Sequence, residues 1–231
     1  MMKSLTFNDC YKEKLFSIPL FSELPDYLKS EILKRLDFRL QEINENTVIL
    51  EQGDICCNLY VLLEGTLEVN IIDANGNEVL IEHIESPRAF ATPHLFKKDN
   101  RFPATFRTLE KSVLLTATKD STFHLISKYP DMLKSFLCVS GNCNVCTTMR
   151  LDVLSRKTIR ERILVYLLKR LDKEDTSTVK LTHTLTQLAE YINVTRPALS
   201  TEFNKMEKEG ILKRKEGNYI ELNRKAIKGV L

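Results

Sequence analysis

The sequence predicts an α+β protein with an N-terminal antiparallel β-roll, a long helix and a C-terminal winged helix-turn-helix. Three patterns support this fold class: short apolar segments between turn residues over 38–119, an uninterrupted helical pattern over 131–156, and two short helical patterns over 185–203. With 231 residues, 43% of them apolar and 28% charged, the chain is long enough for two domains with ordinary cores. We therefore divide it into 1–130, 131–156 and 157–231.

The first division, 1–130, is predicted to contain a short helix followed by the roll. The helix lies within 22–40, where four apolar residues share one face: Leu28, Ile32, Leu33 and Leu36. Strands rich in Val, Ile, Leu and Thr follow, and turn signals separate them at Gly53-Asp54, Glu64-Gly65 and Asn75-Gly76. Evenly spaced short strands of this kind predict an antiparallel barrel or roll.

The second division, 131–156, is predicted to be one helix, since it lacks proline and its single glycine is Gly141. Five residues recur along it at spacings of three and four: Val139, Asn142, Cys146, Met149 and Val153. A stripe this narrow is too thin to bury a helix in a globular core, but it suits pairing with a copy of itself. The pattern therefore predicts the seam of a homodimerisation helix. A helix that lies on the roll of its own chain is the alternative.

The third division, 157–231, contains two short helices with clear start signals. Thr184 and Gln187 have capping-box spacing at the head of the first helix. Asn193 falls at the sharp turn, where asparagine tolerates a left-handed backbone. Thr195 can cap the second helix, and Pro197 lies in its first turn. These signals predict a helix-turn-helix. We expect a polar loop before it, "KEDTSTVK" (173–180), and a hairpin after it, "GILKRKEGNYIEL" (210–222).

The second short helix has an outer face of small or hydrogen-bonding residues and cations: Arg196, Ala198, Ser200, Thr201, Asn204 and Lys205. Small side chains let a helix enter a major groove, and an arginine can offer two donors to a guanine edge. We expect base contacts from Arg196, Ala198, Ser200 and Thr201. We expect phosphate contacts from Thr184, Thr186, Thr195, Lys205, Lys213, Arg214 and Lys215. A helix-turn-helix used only for packing or protein contacts is the alternative.

The charge of the chain is divided unevenly. Residues 157–231 carry 16 Lys/Arg against 10 Asp/Glu, whereas the remaining residues carry 18 against 21. A basic C-terminal part on a mildly acidic body indicates that one end meets a polyanion.

At this point the chain resembles the Crp/Fnr superfamily of bacterial transcription regulators over nearly its whole length. "LEQGDICCNLYVLLEGTLEVNIIDANGNEVLI" is similar to the family's cyclic-nucleotide-binding β-roll, and "YPDMLKSFLC…RERIL" to its dimer helix and the start of its DNA-binding domain. "LTQLAEYINVTRPALSTEF…MEKEGIL" resembles its recognition motif. The resemblance implies a homodimer that binds a roughly palindromic double-stranded site, works with RNA polymerase and responds to an effector in the roll.

The chain departs from the family pattern in the effector segment. Members that bind cyclic nucleotides use a Gly-Glu and an Arg-Ser pair, but Thr92 stands at the acidic position and Phe102-Pro103 at the Arg-Ser positions. A cyclic phosphate needs a cation and free N–H donors, and proline lacks the donor. The resemblance places an effector pocket at Phe90, Thr92, His94, Arg101 and Phe102, with Arg101 as a shifted cation or the phenylalanines as plain core. We expect a different small-molecule ligand, or none.

The cysteines and histidines suggest rival functions. Cys138, Cys143 and Cys146 have C-x4-C-x2-C spacing, but on a continuous helix they spread over too wide an arc for an iron–sulfur cluster unless the helix breaks near Gly141. A redox-reversible crosslink through Cys146 and simple apolar packing are the other interpretations. The four histidines form no metal-binding motif, and no nucleophile elbow or phosphate-binding loop is present.

The sequence therefore predicts a DNA-binding transcription regulator with no cofactor, no metal and no catalytic site. The family's second recognition-helix arginine is replaced by Thr201, so the usual half-site sequence is not expected. The alternatives are a ligand- or redox-sensing module that acts through protein contacts with a vestigial DNA-binding domain, and an enzyme on a cupin-like roll. Without an apolar N-terminal segment or a run long enough to span a bilayer, we expect a cytoplasmic protein without membrane contact.

Overall fold

The structure is a computed structural model that describes residues 2–72, 76, 78–171, 177–181 and 183–227, apart from the side chains of Met2, 143–147 and 224–225. The chain forms two compact units, Met1–Val145 and Cys146–Leu231. The predicted α+β class is confirmed, since strands dominate the first unit and helices the second. In the described residues, no helix has the length and apolarity needed to cross a bilayer.

The first unit contains nine strands and four complete helices among its described residues. In chain order they are β1 (Met2–Ser4), α1 (Asp9–Ser17), α2 (Asp26–Arg35), β2 (Phe38–Ile43), β3 (Val48–Leu50), β4 (Asn58–Glu64), β5 (Thr66–Ile72), β6 (Glu78–Glu85), β7 (Arg88–Phe90), α3 (Thr92–Leu95), β8 (Thr105–Thr108), β9 (Ser112–Thr118) and α4 (Lys119–Lys128). The strands form two antiparallel sheets, in the orders β1-β2-β9-β4-β7 and β3-β8-β5-β6.

The core of the first unit lies between these sheets and under the N-terminal helices. Leu28 and Ile32 of α2 are buried in it, and Leu33 packs against it. Strand β5 alternates for its first half, with Leu67 and Val69 buried. Two predicted turns have the expected backbone, since Gly53 and Gly65 have positive φ angles. Of the predicted Asn75-Gly76 turn, Asn75 lies outside the described residues.

The long helix predicted over 131–156 is present as α5 (Pro130–Leu154), and the boundary between the two units falls within it. Its backbone is helical through Gly141. The second unit continues with α6 (Ile159–Leu168), β10 (Thr178–Lys180), α7 (Leu185–Tyr191), α8 (Arg196–Lys208), β11 (Leu212–Lys215), β12 (Tyr219–Leu222) and α9 (Arg224–Ile227).

The second unit is a helical core closed by a small antiparallel sheet of order β10-β12-β11. Leu188, Leu199, Phe203 and Met206 are fully buried between α7, α8 and their neighbours. The predicted hairpin is β11–β12, and Gly217 and Asn218 have positive φ angles at its turn. The predicted loop over 173–180 is wrong at its end, because Thr178–Lys180 pairs with Tyr219–Glu221 as a strand. Residues 172–176 lie outside the described residues.

Candidate nucleic-acid interface and effector region

The helix-turn-helix is built by the caps that the sequence indicates. Thr184 and Gln187 form a complete capping box at the start of α7, and the side chain of Thr195 accepts a hydrogen bond from the Ala198 amide at the start of α8. Asn193 turns the chain with a φ of 55°. Arg162 of α6 donates to the Ile192 carbonyl at 3.1 Å. The turn between α7 and α8 is therefore fixed by the Thr195 cap at its end and by the Arg162 side chain at its start.

A buried cation lies behind this turn. Arg150 of α5 is only 4% exposed, and its guanidinium lies 5.3 Å from the centre of the Tyr191 ring. Burial lowers the pKa of Arg150 from its usual value. Sequence reasoning missed both Arg150 and Arg162, since their partners are 30 to 40 residues away in the chain. They act on the helix-turn-helix by fixing its position.

Helix α8 has one buried face and one polar face. Leu199, Phe203 and Met206 have no exposed surface, whereas the opposite face presents the predicted residues. Arg196, Thr201, Asn204 and Lys205 are exposed, and Ala198 and Ser200 are half-buried. A duplex could approach this face without unpacking the unit, because nothing in the second unit covers it among the described residues.

The predicted phosphate contacts are all exposed, but they differ in their partners. Lys205 and Lys213 make no side-chain hydrogen bond or ion pair with any part of the chain that the structure describes, and the same is true of Arg196, the predicted base contact. Lys215, by contrast, is paired with Glu221 at 2.9 Å. Thr184 and Thr195 already serve as caps, which leaves one further lone pair on each hydroxyl.

Arg214 belongs to a cluster that joins the hairpin to the recognition helix, which we call the wing cluster (Asn204, Glu207 and Arg214). Its Nε and Nη2 donate to Glu207 Oε2 at 3.0 and 2.6 Å, and its backbone amide donates to Glu207 Oε1 at 3.0 Å. Nη2 also donates to Asn204 Oδ1 at 2.6 Å. The guanidinium lowers the pKa of Glu207. The opposite charges on either side of the turn after α8 were the only sequence signal for this cluster.

A second ion-pair group holds the C-terminal half of the same helix. Arg160 of α6 donates through Nε to Glu202 at 2.6 Å and through both Nη atoms to Glu209 at 2.7 and 2.9 Å. These bonds raise the pKa of Arg160 and lower that of Glu209. A bidentate contact of this kind restrains the rotation of α8 about its axis.

The predicted effector region of the roll is filled by aromatic side chains. Phe90 and Phe102 are each 2% exposed, and with Tyr60 and Phe106 they form a group of rings whose centres lie 5.3–6.0 Å apart. We call this group the aromatic cluster. Its members come from β4, β7, β8 and the segment before β8, so both sheets contribute. The spacing is that of packed aromatic pairs in a core.

The other predicted pocket residues do not converge on one point. Thr92 is buried at the start of α3, and His94 is half-buried there, with its pKa lowered mainly by burial and then by Lys97. Arg101 is exposed, and its Nη1 donates to the Gly53 carbonyl at 2.7 Å. The described cations of the neighbouring strands are paired with carboxylates, as in Arg88 with Glu82 and Arg107 with Glu78. The geometry favours core packing here over a charged ligand site.

Two domain families match the chain. The cyclic nucleotide-binding domain matches residues 40–129, and the Crp-like helix-turn-helix domain matches residues 161–229. The two matches occur in the order that the structure has them, a roll followed by a helix-turn-helix, and together they cover most of the chain. The chain belongs to the Crp/Fnr superfamily. A Crp/Fnr protein with these two domains is a DNA-binding transcription regulator, and the matches do not determine its effector.

Solved structures of Crp/Fnr proteins share this fold. A CooA variant from Carboxydothermus hydrogenoformans has a TM-score of 0.68 at 16% identity, covering 99% of this chain and 97% of that one. FixK2 from Bradyrhizobium japonicum has a TM-score of 0.60 at 13% identity, over 82% and 95%. CLP from Xanthomonas campestris, described as responsive to c-di-GMP, has 0.60 at 15% identity, over 86% and 100%. No curated protein matches the sequence at a significant level.

One residue of the predicted dimer seam of this Crp/Fnr chain is buried within its own chain. Val153 is 1% exposed and lies in the core of the second unit, so a copy of the chain cannot reach it. Val139 packs against the core of the first unit, Met149 is half-buried and Asn142 is exposed. The side chain of Cys146 lies outside the described residues. The exposed apolar residues of α5 are instead Leu133, Leu137 and Leu151.

The cysteines of this Crp/Fnr chain differ in exposure. Cys10, Cys57 and Cys138 are exposed free thiols, and Cys56 is buried, which raises its pKa to about 11 and keeps it protonated. The side chains of Cys143 and Cys146 lie outside the described residues. The backbone of α5 does not break at Gly141, which was the condition for an iron–sulfur cluster at this C-x4-C-x2-C motif.

Proposed function

We propose that this regulator binds a roughly palindromic DNA site as a homodimer and inserts the polar face of α8 into the major groove. The observation that carries the proposal is the division of α8 into a fully buried apolar face and an exposed polar face whose cations, Arg196 and Lys205, have no ion-pair partner among the described residues. A helix that served only for packing would not need small polar residues and these cations grouped together on its outer side.

The proposed base contacts are Arg196, Ala198, Ser200 and Thr201, on the exposed N-terminal half of α8. Arg196 is suited to a guanine edge, since its donors are not used within the described chain. Unpaired Lys205 and Lys213 are proposed to contact phosphates, with Thr184, Thr186 and Thr195 as neutral partners. Arg214 and Lys215 would reach phosphates only with donors that their carboxylate partners leave open.

The proposed dimer uses the exposed leucines of α5. Leu137 and Leu151 are 61% and 63% exposed and lie two heptads apart in sequence, with Leu133 one turn before Leu137. We expect Leu137→Glu to weaken self-association in sedimentation equilibrium, because it buries a charge in the pairing face. Leu109→Glu, which alters an exposed leucine of the roll, is the matched control. Equal self-association of both variants would contradict this pairing face.

The proposed effector is a small molecule other than a cyclic nucleotide, or none. The aromatic cluster fills the roll, and Phe102 replaces the polar residue that would hold a cyclic phosphate. We further propose that the protein has no catalytic activity, that RNA polymerase is its partner at promoters, and that it works in the bacterial cytoplasm, where its DNA target is.

The test is binding to duplexes selected from a randomised pool, measured at several salt concentrations. Two copies of Lys205 and Lys213 would neutralise four phosphates, so log Kd should rise with log salt with a slope of roughly three to four. A scrambled duplex of the same length is the control and should bind much more weakly at physiological salt. Binding without sequence preference and with little salt dependence would contradict the proposal and favour a sensor that acts through protein contacts.

A further inference from the structure

The wing cluster restricts what Asn204 can recognise, and the inference drawn from it rests on the DNA binding proposed above. Asn204 lies on the polar face of α8, one turn after Ser200, and is exposed. Four residues along a helix bring side chains to nearly the same angle. If Ser200 faces the floor of the groove, Asn204 faces it as well.

The orientation of the Asn204 amide is fixed by its partner. A guanidinium group has only N–H donors, so the amide oxygen and not the nitrogen must face Arg214. The contact is short, 2.6 Å from Arg214 Nη2 to Asn204 Oδ1. Arg214 in turn has little freedom to rotate, since Glu207 accepts from its Nε, its Nη2 and its backbone amide.

This orientation has a consequence for base recognition. An asparagine usually pairs with adenine in a two-bond contact, in which its oxygen accepts from the adenine amino group and its nitrogen donates to N7. Here one lone pair of the oxygen already accepts from a cation; the second lone pair could still accept, but the guanidinium repels the partly positive amino hydrogens of an adenine brought beside it. The amide nitrogen has two N–H groups, and neither donates to a partner in the part of the chain that the structure describes. Guanine offers two acceptors in the major groove, O6 and N7.

We propose that Asn204 is a specificity-determining residue that acts mainly as a donor and selects guanine over adenine, and that Arg214 is the positioning residue that imposes this choice. Glu207 holds Arg214 in place through hydrogen bonds to its Nε, Nη2 and backbone amide, and the guanidinium lowers the pKa of the Glu207 carboxyl. The assignment differs from the phosphate role that the sequence suggests for Arg214. It also adds one base to those read by the N-terminal half of α8.

The experiment is selection of binding sites from a randomised duplex pool by four proteins: wild type, Asn204→Ala, Arg214→Met and Lys215→Met. For wild type we expect a guanine preference at a base pair of each half-site that Asn204→Ala loses, on the order of fivefold. Arg214→Met should shift that same base pair toward adenine, because it removes the positive charge that orients the amide and repels the adenine amino group. Lys215→Met removes the same charge from the adjacent wing position and should weaken binding without changing any base preference.

The outcomes separate this inference from the proposed function. If wild type selects no site, the proposed function fails, and this inference with it. If wild type selects a site and Asn204→Ala selects the same one, only the role of Asn204 is overturned. If Asn204→Ala changes one base pair but Arg214→Met leaves it as in wild type, the positioning role is overturned. Should Arg214→Met fail to fold in a thermal melt, Glu207→Gln loosens the cluster from its other end and replaces it.

Discussion

The outer face of α8 and the interior of the roll differ in the side chains that they offer to a partner or ligand. On α8, polar side chains are exposed while the apolar ones beneath them are fully buried. In the roll, Phe102 stands at the position that resembles the family's arginine, and its ring packs against those of Tyr60 and Phe106. The first region offers donors and cations to a partner, whereas the second offers little beyond apolar surface that is already covered.

The charges of the two regions show the same difference. Arg88 and Arg107 of the roll are paired with Glu82 and Glu78, which reduces their attraction for an anion. On and beside α8, by contrast, Arg196, Lys205 and Lys213 are unpaired among the described residues. A protein with this fold can therefore keep a surface suited to DNA binding while the effector region of its roll changes. The physical marker of that change is whether the cations have partners within the chain.

The largest expected effect comes from the aromatic cluster. We expect Phe102→Ala to lower the free energy of unfolding of the first unit by about 3–5 kcal/mol, since it removes a buried ring from a packed core. Urea denaturation followed by NMR signals of each unit measures this loss. Phe123→Ala, which truncates a phenylalanine that is 56% exposed, is the matched control and should cost much less.

A ligand pocket at the same place would behave differently. A phenylalanine that lines an open cavity supports fewer neighbours, so its truncation would cost far less than in a packed core. A cyclic nucleotide that raises the melting temperature of the wild-type protein would likewise contradict the closed roll, because such a rise requires binding to the folded state.

The next effect concerns the open face of α8. We expect Arg196→Ala to weaken binding to the selected site by about 1–3 kcal/mol and to relax specificity at one base pair of each half-site. Its melting temperature should stay near that of wild type, since the exposed side chain makes no bond within the described chain. Fluorescence anisotropy with matched and substituted duplexes measures the change. An equal loss on all sequences would show that Arg196 contacts phosphate and no base.

The helix-turn-helix could be predicted from the sequence because its signals are local. Thr184, Gln187 and Thr195 form their caps within three residues, and Asn193 takes its left-handed backbone without help from distant parts of the chain. The strands of the roll were also predicted from their turns. Strand β10 was not, because Thr178–Lys180 is only three residues long and becomes a strand only through pairing with β12.

The predicted seam of α5 and the wing cluster depend on packing between different elements, which local sequence patterns do not predict. The spacing of Val139 and Val153 fits a dimer stripe, but which face of α5 is covered depends on the cores of the two units, and these cover Val153. Glu207 and Arg214 are near in sequence, yet their bond to Asn204 requires β11 to run back along α8. The composition of the roll likewise left open whether the phenylalanines line a pocket or fill it.

The smallest expected effect is a difference in acid sensitivity between the two units. Among the described carboxyls, four in the second unit have a lowered pKa: Asp152 through Lys169 and Arg156, Glu161 through the Thr158 amide, Glu207 through Arg214 and Glu209 through Arg160. In the first unit only Glu31 does, through Arg35. A carboxyl whose pKa is lower in the folded state stabilises it above the unfolded pKa, here about 4.5 for glutamate, and this contribution disappears as the pH falls through the folded value.

Lowering the pH from 6 to below 4.5 should therefore destabilise the second unit more than the first, by a modest amount because these groups are exposed to solvent. Urea titrations at each pH, read from NMR signals of each unit, measure the difference. Arg160→Met should be less stable at pH 6 but lose less stability on acidification, because Glu209 then loses the cation that lowers its pKa most. Equal pH dependence of the two units in wild type would mean that the ion pairs around α8 do not stabilise it, and that its position depends on the buried face alone.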